Sequence, residues 1–316
     1  MLSYALKRLV LTIPTLIGVA VVIFFALRVV PGDIVEVKLK GDGAAVTEEM
    51  IQTERERLGL DRPLVVQFAD WMGGMARLDL GNSMWTNRPV TEEIGQRLNL
   101  SLHVAFLSLI VGLMVAIPVG VLSAMHPNTP LDYFIRAGST LGLAVPSFWI
   151  GMLLILALLH IFNWLPTPVF VPIWQDPVAC ITTLIWPALA VGFRFSAVVA
   201  RMLRSSLMET LQEDYIRTAR AKGVLEYIVV LRHALRNAML PTVTVIGIEF
   251  TFLIGGLVVT EQVFNLNGFG KLLIDAVTHY DFILLQGQVM VIALLMILTN
   301  LVVDLLYSVL NPRIRY

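Results

Sequence analysis

Six stretches of the chain are almost entirely apolar, and short polar or charged segments separate them. The stretches are 9–27, 100–125, 137–175, about 180–203, about 237–260 and 282–303. Four of them lack Asp, Glu, Lys and Arg, whereas Arg194 and Glu249 lie near the middle of the fourth and fifth. At about 1.5 Å of rise per residue, a helix of each length can cross about 30 Å of hydrocarbon. The pattern therefore predicts an all-α integral membrane protein with six transmembrane helices.

The distribution of basic residues predicts the orientation of these spans. Basic residues precede the first and third spans and follow the last: Lys7, Arg8, Arg136, Arg313 and Arg315. The loop 163–179 between the third and fourth spans has no Lys or Arg. Because short cytoplasmic loops are enriched in Lys and Arg, we expect both termini in the cytoplasm.

Composition supports a membrane protein. The 316 residues are 57% hydrophobic and 15% charged, with a net charge of zero. So few charges are unusual in a soluble globular protein, and a neutral chain does not indicate a nucleic-acid partner. The single Cys180 cannot form an internal disulfide and is expected to be a small buried residue.

The spans divide the chain into three regions. These are a first transmembrane helix (1–30), an external helical segment (31–98) and a five-helix core (99–316) with a cytoplasmic loop (204–237). In the external segment Thr47 can cap a helix that stops near Gly59, and Pro63 can begin another. We expect this segment to pack on the outer membrane face.

The charged segment between the fourth and fifth spans contains a short helical pattern. From Arg201 to Arg236 there are seven Lys or Arg residues and four acids. Asp214 suits a first helical turn, and Gly223 suits a helix end. One face at i, i+3, i+4, i+7 spacing would hold Tyr215, Thr218, Ala219 and Lys222. We expect a cytoplasmic docking helix at 214–223, and the alternative is a solvated connecting loop.

Motifs for catalysis are absent from the sequence. Gly268-Phe269-Gly270-Lys271 lacks the earlier glycine and the following hydroxyl of a phosphate-binding loop. No His-Glu-x-x-His or Gly-x-Ser-x-Gly motif occurs, and the five histidines are scattered. We therefore expect no catalytic residue, no metal site and no cofactor bound by this chain.

The run 214–223 resembles the cytoplasmic coupling loop of ABC-importer permeases of the dipeptide/oligopeptide/nickel family. The family pattern is Glu-Ala-Ala, three residues and Gly, then a spacer that ends in Leu-Pro. In this sequence Arg217-Thr218-Ala219 stands at the Glu-Ala-Ala positions of the pattern, and Gly223 stands at the Gly position. Leu235 occupies the Leu position, but Arg236 replaces the Pro, a departure that the peptide branch shares.

Other segments resemble the same family, in the same order along nearly the whole chain. They are Arg28–Asp33, Leu58–Leu64, Pro146–Trp149, Arg232–Asn237, Glu261–Phe264 and Asn311–Tyr316. Together these segments are specific for the family, and they say little about the cargo.

The resemblance implies a type I ABC-importer permease fold in a prokaryotic inner membrane, as the B-type subunit of the peptide branch. It implies a second homologous permease, two ATP-binding subunits that hold ATP and Mg, and an external substrate-binding protein. The chain itself would not be an enzyme, and di- or oligopeptides would be the cargo. The ATPase-coupling residues would be Asp214, Tyr215, Arg217, Thr218, Ala219, Arg220, Ala221, Lys222 and Gly223.

Three charged residues are candidates for the translocation path: Arg194, Glu249 and Glu261. A charge near the bilayer centre costs about 2.5–3.5 kcal/mol on insertion scales, so it usually faces a partner or water. Arg194 and Glu249 should lie at similar depths. Three arrangements remain open: a pair within the chain, separate places along the path, or pairs with the partner permease.

Alternative functions also remain open. The same machine could carry chelated nickel, glutathione or an oligosaccharide, although the few His and Cys residues in the spans argue against a bare metal site. A channel or structural membrane protein without ATP coupling is the other class.

Overall fold

The computed structural model describes residues 2–29, 35–36, 39, 47–166 and 169–310. Two family-like segments are affected by the gaps: residues 30–33 of the first and the whole of the last, 311–316 with Arg313 and Arg315, lie outside the described residues. The helices are α1 (Leu2–Val29), α2 (Glu48–Arg57), α3 (Leu64–Ala76), α4 (Val90–Met125), α5 (Pro130–Ala144), α6 (Ser147–Phe162), α7 (Pro177–Thr210), α8 (Asp214–Ala221), α9 (Glu226–Gly256), α10 (Val258–Val263), α11 (Phe269–Thr278) and α12 (Phe282–Leu310). Within α9, residues Val229–Ala234 form a π-helical segment.

The predicted all-α class is confirmed. Among the described residues, five helices are long and apolar enough to cross a membrane: α1, α4, α7, α9 and α12. The pair α5 and α6 makes a sixth span if the two count as one.

The third predicted span differs from a straight crossing helix. α5 ends at Ala144, α6 begins at Ser147, and the two axes differ by 101°. Pro146 explains the break, because proline lacks an N–H and disfavours helical backbone at the preceding residue. That residue, Val145, is accordingly extended, with φ −92° and ψ 125°.

The centre of the fold is the packing of α4 against α7. Glycines allow the two backbones to approach: a Cβ added at Gly192 would lie 3.0 Å from the Ser108 carbonyl oxygen. One added at Gly120 would lie 3.0 Å from the Ala200 carbonyl oxygen. Close backbone contact through small residues is typical of helix pairs in membranes. Cys180 is buried in the same core, as predicted.

The segment 31–98, which is predicted to be external, packs on the first span through its described residues. The ring of Phe24 in α1 lies 5.1 Å from the Phe68 ring and 5.9 Å from the Trp71 ring of α3, between centroids. Arg28 also donates to Gln67 Oε1 at 2.9 Å. These contacts join the end of α1 to α3.

A second contact joins the external segment to the last span. Asp281, which precedes α12, accepts a hydrogen bond from the Ser83 hydroxyl at 2.5 Å and from the Trp85 backbone N–H at 3.2 Å. Its other oxygen accepts from the Leu284 N–H at 3.0 Å. Asp281 therefore caps α12 and holds the loop before α4.

The predicted helix signals in the external segment are confirmed. The Thr47 hydroxyl accepts a hydrogen bond from the Met50 N–H at the start of α2. Gly59 follows α2 with φ +65°, a conformation that glycine adopts without strain. Pro63 immediately precedes α3.

Two predicted region boundaries fall inside helices. α4 begins at Val90, so residue 98 lies within a continuous helix. α7 continues to Thr210, and α9 begins at Glu226. The predicted loop 204–237 is therefore mostly helical, and only residues 211–225 connect the two long helices.

Candidate functional site: the short helix between α7 and α9

The predicted helix at 214–223 is present as α8, Asp214–Ala221. Asp214 lies in the first turn, where a carboxylate is favourable, and it pairs with Arg217 at 3.4 Å. After the helix, Gly223 has φ +73°. This left-handed glycine explains why the chain turns away from the helix axis there.

One face of α8 packs on the chain's own core. Ile216 is 0% exposed, and Ala219 is partly buried beside it. Their neighbours come from α7 and α9 and include Leu203, Leu207, Val229 and Val230. Ala219 therefore lies at the partly buried edge of the predicted docking face, whose other members are exposed, and docking through this face stays a prediction. Burial of Ile216 is the physical reason, since residues three apart share a helix face.

Polar contacts also fasten α8 to α9. Arg220 Nη2 lies 2.6 Å from Glu226 Oε1, and this hydrogen-bonded carboxylate raises the pKa of the guanidinium. The Tyr215 hydroxyl accepts a hydrogen bond from Asn237 Nδ2 at 2.7 Å. α8 is thus held at both ends as well as along its inner face.

The opposite surface of α8 is open. Its exposed residues are Asp214, Tyr215, Arg217, Thr218, Arg220, Ala221 and Lys222. A short rigid helix with a small, polar outer face suits docking on another protein. The coupling role of these residues stays a prediction.

Arg194 and Glu249 lie close together. Arg194 Nη1 on α7 is 4.0 Å from Glu249 Oε2 on α9, at the outer limit of an ion pair. The Arg194 side chain is 45% exposed, whereas that of Glu249 is 12% exposed. The guanidinium therefore has room for another partner, and a role for either residue in the path stays a prediction.

Glu261 lies in a different environment from the other two path candidates. It is 0% exposed and accepts hydrogen bonds from the Ser101 hydroxyl and from the Lys271 N–H, the latter at 2.9 Å. Gly268 makes room for it, because a Cβ there would overlap the carboxyl group. Glu261 is thus enclosed by its own chain in this structure, and its role in a path stays a prediction. It fastens α4 to α10 and to the start of α11.

A third polar cluster was missed from the sequence. Asp132 in α5 is fully buried and accepts two hydrogen bonds from Arg204 of α7, each at 2.8 Å. The Ser123 hydroxyl donates to the same carboxylate at 2.5 Å. An aspartate in a first helical turn looks ordinary in the sequence, and its partner is 72 residues away. This cluster joins α4, α5 and α7.

The described part of the chain contains no candidate metal site. There, no group of three or more His, Cys, Asp or Glu side chains could hold a metal ion.

Two protein families match the chain. The family described as the binding-protein-dependent transport system inner membrane component matches residues 116–316. The N-terminal family of the same membrane component matches residues 1–105.

Curated relatives match over the full length. The chain is 43% identical over 319 residues to the glutathione transport system permease protein GsiC of Salmonella choleraesuis. It is 40% identical over 316 residues to the Escherichia coli protein of the same name. A Brucella abortus protein named as a peptide transport system permease is 37% identical over 316 residues. Each match covers 100% of this chain and 100% of the relative.

A solved structure shares the fold. An inward-facing conformation of the MetNI methionine ABC transporter aligns with a TM-score of 0.57 at 18% identity. The alignment covers 69% of this chain and 96% of that chain. The fold is therefore the type I permease fold of ABC importers. The chain belongs to the inner membrane component family of binding-protein-dependent transport systems, among the permeases of its peptide branch.

Proposed function

We propose that the chain forms half of the translocation path of an ATP-driven importer and couples to cytoplasmic ATPases through α8. The observation that carries this proposal is the construction of α8. Its apolar face is fixed to α7 and α9 through Ile216, while its polar face is open. A partner that moves α8 must therefore also move the two long helices.

The proposed assembly contains a second homologous permease, two ATP-binding subunits and an external substrate-binding protein. The family description supports a binding protein, since it names transport systems that depend on one. ATP and Mg would bind to the ATPase subunits, and this chain would bind no cofactor. Closure of the ATPases on ATP would push α8 and favour one of two permease states, because nucleotide binds those states with different affinities.

The proposed cargo is a small peptide of the glutathione type. Relatives named for glutathione transport and for peptide transport support this class. The protein would lie in the inner membrane with both termini and α8 in the cytoplasm, because the basic loops favour that side.

Coupling is tested by adding bulk to the open face of α8. Ala221 is exposed on α8, and Ala69 is exposed on α3 in the external segment. In the purified complex, Ala221→Trp should reduce peptide uptake into proteoliposomes at least tenfold without removing the permease from the membrane. Ala69→Trp is the matched control and should transport normally. Normal uptake by Ala221→Trp, with the ATPases still bound, would contradict a docking role for α8.

Orientation is tested by cysteine labelling in intact cells. Asn82→Cys in a Cys180→Ser background should react with a membrane-impermeant maleimide from outside. Thr218→Cys in α8 should react only after lysis. The opposite pattern would invert the proposed topology.

A further inference from the structure

A basic cavity lies beside α7, on the side of the chain that leads to α8. It has a volume of about 400 Å³ and lies between α4, α5 and α7. Arg136, Arg201 and Arg204 line it, together with the hydroxyl-bearing Ser139 and Thr140. The three guanidinium groups and the Ser139 hydroxyl can donate hydrogen bonds to an anion.

The charges in this cavity do not cancel. Asp132 neutralises Arg204 through its two hydrogen bonds. Neither Arg136 nor Arg201 forms an ion pair within the part of the chain that the structure describes. The Arg136 guanidinium lies 5.7 Å from the centroid of the Tyr133 ring, whose attraction for a cation is weak at that distance. Two uncompensated guanidinium groups therefore face one small cavity.

This basic face is not suited to lipid tails. Arg194, Arg201 and Ser205 are exposed on α7 at spacings of seven and four residues, so they form one stripe along a candidate span. Exposed charges within a span face water or a protein partner, because hydrocarbon solvates them poorly. The stripe thus lines an aqueous or protein-covered surface.

The apolar surface of α5 is on its other side. Leu131, Phe134 and Leu141 are exposed there, with Phe134 80% exposed. At 100° per residue, Phe134 points about 160° away from Arg136 around the helix. The helix therefore turns one face toward lipid or protein and the other toward the cavity, which separates the arginines from the lipid-compatible surface.

We propose that this cavity binds the carboxylate groups of an anionic peptide on its way to the cytoplasm. The inference rests on the proposed function, and it names the charge class of the cargo. Guanidinium groups bind carboxylates through strong charge-assisted hydrogen bonds, and two of them can hold a peptide that has two carboxylates. The Ser139 hydroxyl adds a neutral donor, whereas the Thr140 hydroxyl already donates to the Arg136 carbonyl at 2.9 Å. Asp132 and Ser123 hold Arg204 rigid as the floor of the cavity.

The test compares two cargoes in the assembled importer. Proteoliposomes that contain the full complex and its binding protein are supplied with one of two cargoes. The first is glutathione, which has two carboxylates, and the second is its amidated form, in which both carboxylates are neutral amides. The double variant Arg136→Gln/Arg201→Gln should lower glutathione uptake by roughly tenfold or more, because the loss of even one charge-assisted hydrogen bond has about that effect. Uptake of the amidated form should change less than twofold. Arg77→Gln, an exposed arginine of the external segment, is the matched control.

The possible outcomes distinguish a failure of the cavity proposal from a failure of the proposed function. If the wild-type complex transports neither cargo, the proposed cargo class fails. If wild type transports both and the double variant loses both equally, the arginines have a structural or partner role and the anion site is wrong. If the loss appears only in liposomes that contain phosphatidylglycerol, the cavity binds a lipid phosphate, and the cargo site is likewise wrong.

A second measurement introduces a charge at position 201 by chemical modification after the complex has assembled. Arg201→Cys in the Cys180→Ser background is treated with a positively charged or a negatively charged methanethiosulfonate. The positive group should restore preference for glutathione over its amide, and the negative group should remove that preference. An unreactive cysteine, or equal effects of the two reagents, would overturn the proposal, because it requires an open, charge-selective cavity.

Discussion

Replacing Glu261 by alanine tests whether this residue is structural. Its carboxylate accepts hydrogen bonds from the Ser101 hydroxyl in α4 and from the Lys271 N–H in α11. The side chain is 0% exposed, so water cannot replace the lost acceptor without opening the fold. The substitution therefore leaves donors from two separate helices without partners.

The expected loss follows from these contacts. A buried donor without an acceptor costs about 1–3 kcal/mol, so two such donors cost about 2–6 kcal/mol. Glu261→Gln retains the shape and one acceptor oxygen, so it should cost only about 1–3 kcal/mol. Gln262→Ala in the same short helix is the control, because Gln262 is exposed and its loss should cost less than about 0.5 kcal/mol.

The assay is thermal unfolding of the purified permease in detergent, followed by tryptophan fluorescence. Glu261→Ala should melt well below Gln262→Ala, and Glu261→Gln should lie between them. If Glu261→Ala melts with the control, the carboxylate does not fasten the helices. If its stability is normal while cargo preference changes, Glu261 belongs to the path after all, in a conformation other than this one.

Two further predictions concern α7. Gly112→Ala would place a Cβ against the buried Phe195 ring. This overpacking should lower the free energy of unfolding by about 1–3 kcal/mol, measured by thermal melting. Gly255→Ala is the control, because the added carbon there meets no neighbouring residue within 4 Å. Arg194→Glu and Glu249→Arg should each impair assembly by placing like charges about 4.0 Å apart, and the double exchange should restore assembly and some uptake. Single variants that assemble normally but change cargo preference would favour separate places along the path.

Local patterns predicted the helices well. Charge-free runs locate the spans because hydrocarbon requires long apolar helices, whatever packs around them. Thr47, Gly59 and Gly223 act through their own backbone, so their effects are also readable from sequence. The break at Pro146 was readable by the same logic, since proline disfavours helix in the preceding residue; it was missed because the uncharged run continues past it.

Tertiary partners were not predictable in this way. Ser101 and Glu261 are 160 residues apart, and Asp132 and Arg204 are 72 apart. The residues next to each member of these pairs in the sequence do not specify its partner. Glu261 therefore resembled an unpaired charge near the end of a span. One clue for α8 was overlooked. Ile216 is the large apolar residue in its polar helix, and such a residue usually marks the buried face.

The contacts of α8 also connect the two proposed sites. Ile216 belongs to the same buried apolar cluster as Leu203 and Leu207 of α7, and Arg204, which lines the basic cavity, lies between these two leucines in sequence. On the other side α8 packs on Val229 of α9, the helix that carries Glu249. Protein interiors are closely packed, so displacement of α8 cannot be absorbed at its own contacts and must shift α7 and α9. A push on α8 would therefore change the spacing of the charges along the proposed path, which is the mechanical link that an ATP-driven permease requires.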